Sequence, residues 1–292
     1  MGAPLRVGLL GAGPWAANVI GPVLAAGPET TLVGVWSRDA TKAEGLATSL
    51  RSEAFADPDA LIAATDAVAV VVPPDVQPAL AGRAARAGRA LLLEKPLASD
   101  PTTASDLAAT IIQAGVGALV TLSHRFNPRL DEFATAVAGL HPTGGRACFV
   151  SDAFITGPYA TGWRLERGAV LDLGPHVLDL LEVALGEIVA VTAAGDRHGW
   201  VSLLCEHAGG VTSTAAITGA SAGPARTEVE VHGPDGGARY DGTPDYGAWP
   251  GRLRRALVTV AAGGEHPANV GRAVHLQELI ADIEGQLDAA TA

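Results

Sequence analysis

A chain of 292 residues suggests two domains or one large one. Nearly half of it, 48%, is apolar, enough for a sizeable core, while aromatics are few at 4%. The formal net charge of −11 argues against nucleic acid as a partner, because that needs a clustered basic face.

The first 120 or so residues alternate apolar runs of strand length with helical patterns. Leu5–Leu10, Thr31–Trp36, Ala67–Val72, Ala90–Leu93 and Gly117–Leu122 are continuous apolar runs, as buried parallel strands require. Trp15–Ala26, Ala40–Leu50, Gln77–Ala87 and Thr102–Ala114 lie between them with helical spacing, and Pro58 opens a shorter helical piece. This alternation predicts an α/β domain built on a doubly wound parallel sheet with right-handed crossovers.

The texture changes after Leu122. Phe126–Ala138 reads as a helix started by Pro128, Gly145–Ile155 as a strand and Ala169–Leu185 as a helix with apolar residues three and four apart. Strand-like runs follow at Ile188–Ala194, Val201–Glu206, Val211–Ile217, Thr227–His232 and Ala238–Tyr240, broken by glycine-rich turns. Several strands in succession without helices predict an antiparallel or mixed sheet. Val270–Leu287 closes the chain as an amphipathic helix. The expected division is 1–122 and 123–292.

The cysteines, Cys148 and Cys205, fall in separate strand-like runs and read as small buried apolar residues. No Cys/His spacing resembles a metal site, so no metal is expected. Val7–Leu10 runs straight into glycines with no charged-then-apolar leader. The longest apolar stretch, Ala108–Leu122, is broken by Gln113, Gly115 and Gly117 and is too short for a bilayer. A soluble cytoplasmic protein without a membrane partner is the expectation.

Gly11-Ala-Gly13-Pro14-Trp15-Ala16 follows the first strand and opens the first helix. Read as G-x-G-x-x-A, Gly11 permits the tight turn and Gly13 lets a pyrophosphate approach the backbone. Ala16 keeps helix and sheet close, and the helix N-terminus favours the anion. The second strand ends Trp36-Ser37-Arg38-Asp39. A hydroxyl and a guanidinium stand where an NAD reader carries an acid, which suits a 2′-phosphate. Asp39 either reaches a ribose or caps the helix from Ala40. The expected cofactor is therefore NADP, with NAD as the alternative.

Moving a hydride at a carbon that bears oxygen also requires a proton to move on that oxygen. His176 is the candidate, since an imidazole titrates near neutrality. Asp172, one helical turn earlier, shares its face. Lys95 leaves the carboxyl end of a parallel strand, where open α/β sheets bind ligands. Each residue alone also fits a plain role: a helical Asp–His pair on a solvated face, or a lysine that begins a surface loop.

Taken together, the chain resembles the Gfo/Idh/MocA family, which includes glucose-fructose oxidoreductase and inositol dehydrogenase. The resemblance rests on the early glycine turn, Glu94-Lys95-Pro96, His124-Arg125-Phe126-Asn127-Pro128, Trp163-Arg164 and Asp172-Leu-Gly-Pro-His176. It implies a Rossmann domain followed by an α+β domain with a large, open, mostly antiparallel sheet. In the family that sheet commonly joins copies into a homo-oligomer, a dimer or tetramer, and the last helix, here 270–287, packs back on the first domain. It also implies catalytic roles for Lys95, Asp172 and His176. A sugar pocket would involve Arg125, Asn127, Tyr159, Trp163 and Arg164, and a cofactor border Pro73, Pro74, Gln77 and Glu94. The substrate would be a sugar, sugar derivative or cyclitol, oxidised or reduced at a hydroxyl or keto carbon. Two other activities fit the same scaffold, a redox-assisted glycosidase and a non-catalytic dinucleotide sensor. The chain departs from the family in being shorter after His232, and in carrying one glycine, Gly168, where many members have two or three ahead of the aspartate helix.

Overall fold

The computed structural model describes residues 2–153, 157–160, 162–242 and 247–291. The chain forms two compact units, one of Met1–Thr121 with Pro250–Val274, the other of Leu122–Trp249 with His275–Ala292.

The first unit is an α/β layer structure. Its strands are β1 (Leu5–Leu10), β2 (Thr30–Trp36), β3 (Glu53–Ala54), β4 (Ala67–Val70), β5 (Ala90–Leu93) and β6 (Ala118–Val120). They form one sheet of order β3-β2-β1-β4-β5-β6, parallel throughout. β4 and β5 are buried along their whole length, which is why they read as unbroken aliphatic runs. The strand order reverses between β1 and β4, the point where such sheets bind ligands beyond the carboxyl ends of their strands.

The helices of this unit are a π-helical turn at Ala16–Ile20 leading into α1 (Gly21–Ala25), then α2 (Ala40–Leu50), α3 (Pro58–Ala63), α4 (Gln77–Arg86) and α5 (Pro101–Ala114). Asp39, Asp57 and Asp100 cap α2, α3 and α5 by accepting backbone N–H groups, so each helix starts where an acidic side chain meets unpaired donors. Asp39 thus fills the capping role that the sequence left open, accepting from Lys42 N at 3.2 Å.

The helix Trp249–Ala261 was not expected from the sequence. Its apolar residues Leu253, Leu257 and Val260 are buried. The loop after it completes β6: Val120 N–H donates to Ala268 O at 2.8 Å.

The second unit contains a short 3-10 turn, Ser123–Phe126, then α6 (Pro128–Ala138), β7 (Gly144–Val150), α7 (Trp163–Arg167) and α8 (Ala169–Leu185). Five further strands follow: β8 (Ile188–Gly195), β9 (Val201–His207), β10 (Thr212–Thr218), β11 (Arg226–Gly233) and β12 (Gly236–Asp241). The expected strand to Ile155 ends at Val150, and residues 154–156 lie outside the described part. The sheet runs β12-β11-β7-β10-β9-β8; β7 and β10 pair parallel and all other neighbours antiparallel. It is therefore mixed but mostly antiparallel. β9 alternates buried and exposed residues strictly, because one face packs on α8 and the other is open.

The final helix, Val270–Thr291, belongs to the first unit only through Val274. From His275 onward it belongs to the second unit, where Gln286 caps the β8 backbone at Ala193 N and Val191 O. The segment Pro250–Val274 belongs with the first unit. Among the described residues no helix is long and apolar enough to cross a membrane.

Candidate functional sites in the two units

In the first unit, Gly11 follows β1 with φ +127°, and its N–H donates to Trp36 O at 2.8 Å. A Cβ at Gly11 would fall 2.0 Å from Val71 O, so the backbones of β1 and β4 approach as only glycine permits. Gly13 is different: a Cβ there would meet nothing within 4 Å. Gly13 and Pro14 are exposed at the start of the helix, and Trp15 is half-buried. An exposed, side-chain-free turn at a helix N-terminus, beside a strand-order reversal, leaves the backbone open to a pyrophosphate. The residues present fit a dinucleotide.

Ser37 and Arg38 stand at the carboxyl end of β2, Arg38 exposed and Ser37 accepting the N–H of Asp39 at 3.3 Å. Pro73 is exposed and Pro74 buried in the turn between β4 and α4.

Gln77 holds the Glu94-Lys95-Pro96 turn. Its Nε2 donates to Glu94 O at 2.7 Å, Leu97 O at 3.1 Å and Pro96 O at 3.2 Å, and its Oε1 accepts the Glu94 N–H at 2.9 Å. Gln77 has no exposed surface, so its amide organises the turn from beneath rather than facing solvent. Glu94 Oε1 accepts the indole N–H of Trp15 at 2.8 Å, which ties the turn after β5 to the glycine turn after β1. Lys95, half-buried, rides on that braced turn, and its bond to Pro96 is cis.

In the second unit, α8 carries the stripe Asp172, His176, Asp179, all buried, at spacings that share one helix face. Gly168 sets its start: φ is +77°, and a Cβ would fall 2.2 Å from Arg197 O. Each carboxylate meets an arginine. Arg164 Nε donates to Asp172 Oδ2 at 3.0 Å while its guanidinium lies 4.6 Å over the Trp163 ring. Arg125 donates to Asp179 through Nε at 2.7 Å and Nη2 at 2.8 Å. His176 thus sits one turn from each of two arginine-answered carboxylates.

Of the expected pocket residues, Arg125 and Arg164 are engaged with these carboxylates. Asn127 is buried as the cap of α6, accepting the Arg129 N–H at 3.1 Å, and Tyr159 and Trp163 are half-buried. Sequence reasoning missed Asp179, His124 and Tyr240. His124 stands edge-to-face with His176, ring centroids 5.4 Å apart, and its Nδ1 lies 2.9 Å from the Tyr240 hydroxyl. A periodicity check would have flagged Asp179, which extends the Asp172–His176 stripe by one turn; nothing local flags Tyr240.

Cys148 is half-buried, and Cys205 is buried with its thiol pushed up to about 11 by desolvation. Among the described residues no cluster of His, Cys, Asp and Glu is arranged to hold a metal.

The first unit therefore has the fold and glycine turn of a dinucleotide-binding domain, and the second an Asp–His helix on an open sheet. The model of the oxidoreductase family with an NAD-binding Rossmann fold matches residues 5–122, and that of the GFO/IDH/MocA C-terminal domain matches residues 145–239. The chain belongs to the Gfo/Idh/MocA family.

Among curated relatives, the chain is 33% identical over 172 residues to D-apiose dehydrogenase of Paraburkholderia graminis, covering 53% of this chain and 45% of that protein. It is 32% identical over 203 residues to dTDP-3,4-didehydro-2,6-dideoxy-alpha-D-glucose 3-reductase of Streptomyces violaceoruber, covering 66% of this chain and 58% of that one. These matches span about half the length of the relatives. Among solved structures, GenD2 from gentamicin A biosynthesis, in complex with NAD, has the same fold with a TM-score of 0.86 at 24% identity, covering 99% of this chain and 96% of that one.

Proposed function

We propose that the protein is an NAD(P)-dependent oxidoreductase acting at a hydroxyl or keto carbon of a sugar, sugar derivative or cyclitol. The observation that carries this reading is the buried pair Asp172 and His176 on one face of α8, in a chain whose β5 ends in the braced turn Glu94-Lys95-Pro96. The sugar character of the substrate is supported by the relatives named above. A bound nicotinamide would supply or accept the hydride.

The remaining work falls to side chains. His176 takes the hydroxyl proton in oxidation and returns it in reduction. Lys95 donates an N–H to the substrate oxygen, stabilising the charge that develops there. Asp172, held by Arg164, orients the imidazole or binds a neighbouring hydroxyl. Residues 1–122 bind the cofactor and the later part of the chain the sugar.

For the cofactor we favour NADP. Asp39 is used as a helix cap, while Arg38 is exposed at the strand end where a 2′-phosphate would need a guanidinium. We further read the open face of the second unit's sheet, with Leu204 45% and Val189 59% exposed, as a surface that pairs copies of the chain.

The test is steady-state turnover on a panel of sugars and polyols with each cofactor. Lys95→Ala and His176→Ala should each lose roughly 100-fold or more in kcat with dinucleotide affinity nearly unchanged. Full turnover by either variant on the best substrate refutes the assignment.

A further inference from the structure

His124 and His176 share an aromatic seat in the second unit. Their rings stand at 85° with centroids 5.4 Å apart, and Phe149 packs against both, at 6.5 Å and 5.9 Å. Tyr240 closes the other side of His124 at 5.7 Å and 83°. Gly242 makes room for the ring: a Cβ there would fall 2.9 Å from His124 Cε1.

Hydrogen bonds in this seat have a direction. Asn127 Oδ1 accepts the backbone N–H of Arg129 at 3.1 Å, which leaves its amide N–H to meet Tyr240. The Asn127 side chain also hydrogen-bonds Tyr240. Tyr240 is 1% exposed, and burial pushes its phenol far above the ordinary range, so the hydroxyl keeps its proton. That proton needs an acceptor, and His124 Nδ1 lies 2.9 Å away. A ring that accepts at Nδ1 carries its own hydrogen on Nε2. Protonating Nδ1 would set two donors against each other.

We infer that His124 is a positioning residue for His176, held by the Asn127–Tyr240 chain as the neutral Nε2–H tautomer, so that His176 is the ring of the pair that changes charge. The inference rests on the proposal that His176 exchanges the substrate proton. A neutral neighbour fixes the plane of the His176 ring without opposing its protonation.

The charged groups around the pair are consistent with this. From α8 itself come Asp172 and Asp179, answered by Arg164 of α7 and by Arg125, the residue after His124. Arg129 of α6 and Asp241 of β12 act on Tyr240 in opposite senses. β7 contributes Phe149. The buried residues of β10 and β11 are uncharged, and β9 adds Cys205 and His207, the latter bonded to Gly186 O past the other end of α8.

The experiment is nitrogen NMR of the full-length chain labelled at histidine, followed from pH ~5.5 to ~8.5, the range in which imidazoles titrate. His176→Asn and His124→Gln serve only to assign the signals. His124 should show the Nε2–H pattern with shifts that stay flat while His176 titrates. In Tyr240→Phe, which keeps the ring volume, His124 should begin to titrate and the His176 midpoint should fall by about half a pH unit or more, from like-charge repulsion at ring distance. An Nδ1–H tautomer, or ordinary titration of His124 in the parent protein, overturns the inference, and so does a folded Tyr240→Phe that leaves both curves in place. The tautomer of the parent protein decides the matter if that variant does not fold. If His176→Ala instead kept full turnover, the functional proposal would fail while the NMR result for His124 stood.

Discussion

Arg125 and Asp179 meet through two parallel hydrogen bonds, Nε to Oδ2 at 2.7 Å and Nη2 to Oδ1 at 2.8 Å, with the carboxylate side chain only 2% exposed. The pair anchors the 3-10 turn Ser123–Phe126 to α8 one turn beyond His176. A buried carboxylate that loses its partner keeps the desolvation penalty and loses the attraction. Arg125→Ala should therefore destabilise the protein by about 3–5 kcal/mol in urea unfolding. Arg125→Lys, which lacks the fork, should fall between the two. Replacing both members with leucine should recover much of the loss. An Arg125→Ala protein within about 1 kcal/mol of the parent would show that the pair is not a structural anchor.

Gly11 and Gly13 lie two residues apart and should respond in opposite ways to alanine. At Gly11 the positive φ and the 2.0 Å approach to Val71 O make a methyl group incompatible with the fold, so Gly11→Ala should lose at least about 2 kcal/mol of stability. At Gly13 a methyl group meets nothing within 4 Å, so Gly13→Ala should melt like the parent and yet bind dinucleotide at least about tenfold more weakly. Melting curves paired with fluorescence titration of NADPH and NADH separate the outcomes. Unchanged affinity in Gly13→Ala would remove that glycine from the cradle.

Gln77 was expected at the border of the cofactor, but its amide is spent on the backbone of residues 94–97. Truncation would leave buried backbone groups without partners, at about 1–3 kcal/mol. Gln77→Ala should lower the melting temperature and reduce kcat, because Lys95 rides on the turn that Gln77 holds. Dinucleotide affinity should change little. A large loss of affinity with stability intact would instead make Gln77 a direct cofactor contact.

The Arg254 guanidinium holds the Glu29 carboxyl below its ordinary value of 4.5, with Arg255 assisting, through contacts of 2.7 Å and 3.1 Å. A carboxyl depressed on folding adds stability that is complete above its unfolded value and lost as pH falls through its folded value. Glu29→Gln should therefore melt below the parent at neutral pH, with the gap narrowing as pH drops below 4.5. A gap that stayed constant from neutral to acid pH would show that the ion pair does not govern it.

What the chain revealed before its structure depended on the range of the interaction. The buried strands of the first unit were plain, because aliphatic runs on a parallel sheet report their own burial; Ala90–Leu93 and Ala40–Leu50 fell where expected. The aspartate helix was equally clear, since Asp172 and His176 lie one turn apart on one element. Pairings across long stretches of chain were not. Nothing near Arg125 indicates that Asp179 will take its guanidinium, or that the Tyr240 hydroxyl will lie 2.9 Å from His124 Nδ1. The helix Trp249–Ala261 was not expected, although Leu253, Leu257 and Val260 recur at helical spacing. The parallel pairing of β7 with β10 was hidden for the same reason: strand runs state their faces but not their neighbours.

Ala268 closes the outer edge of β6, and Val260 O lies where a side chain at Gly117 would stand, so the first unit is finished by residues synthesised more than a hundred positions after that strand. On the ribosome, the dinucleotide-binding half must wait with an open strand edge until residue 268 has emerged. A gene fragment stopping at residue 121 would encode that same waiting state, an α/β sheet whose last strand offers unpaired amides to any neighbour.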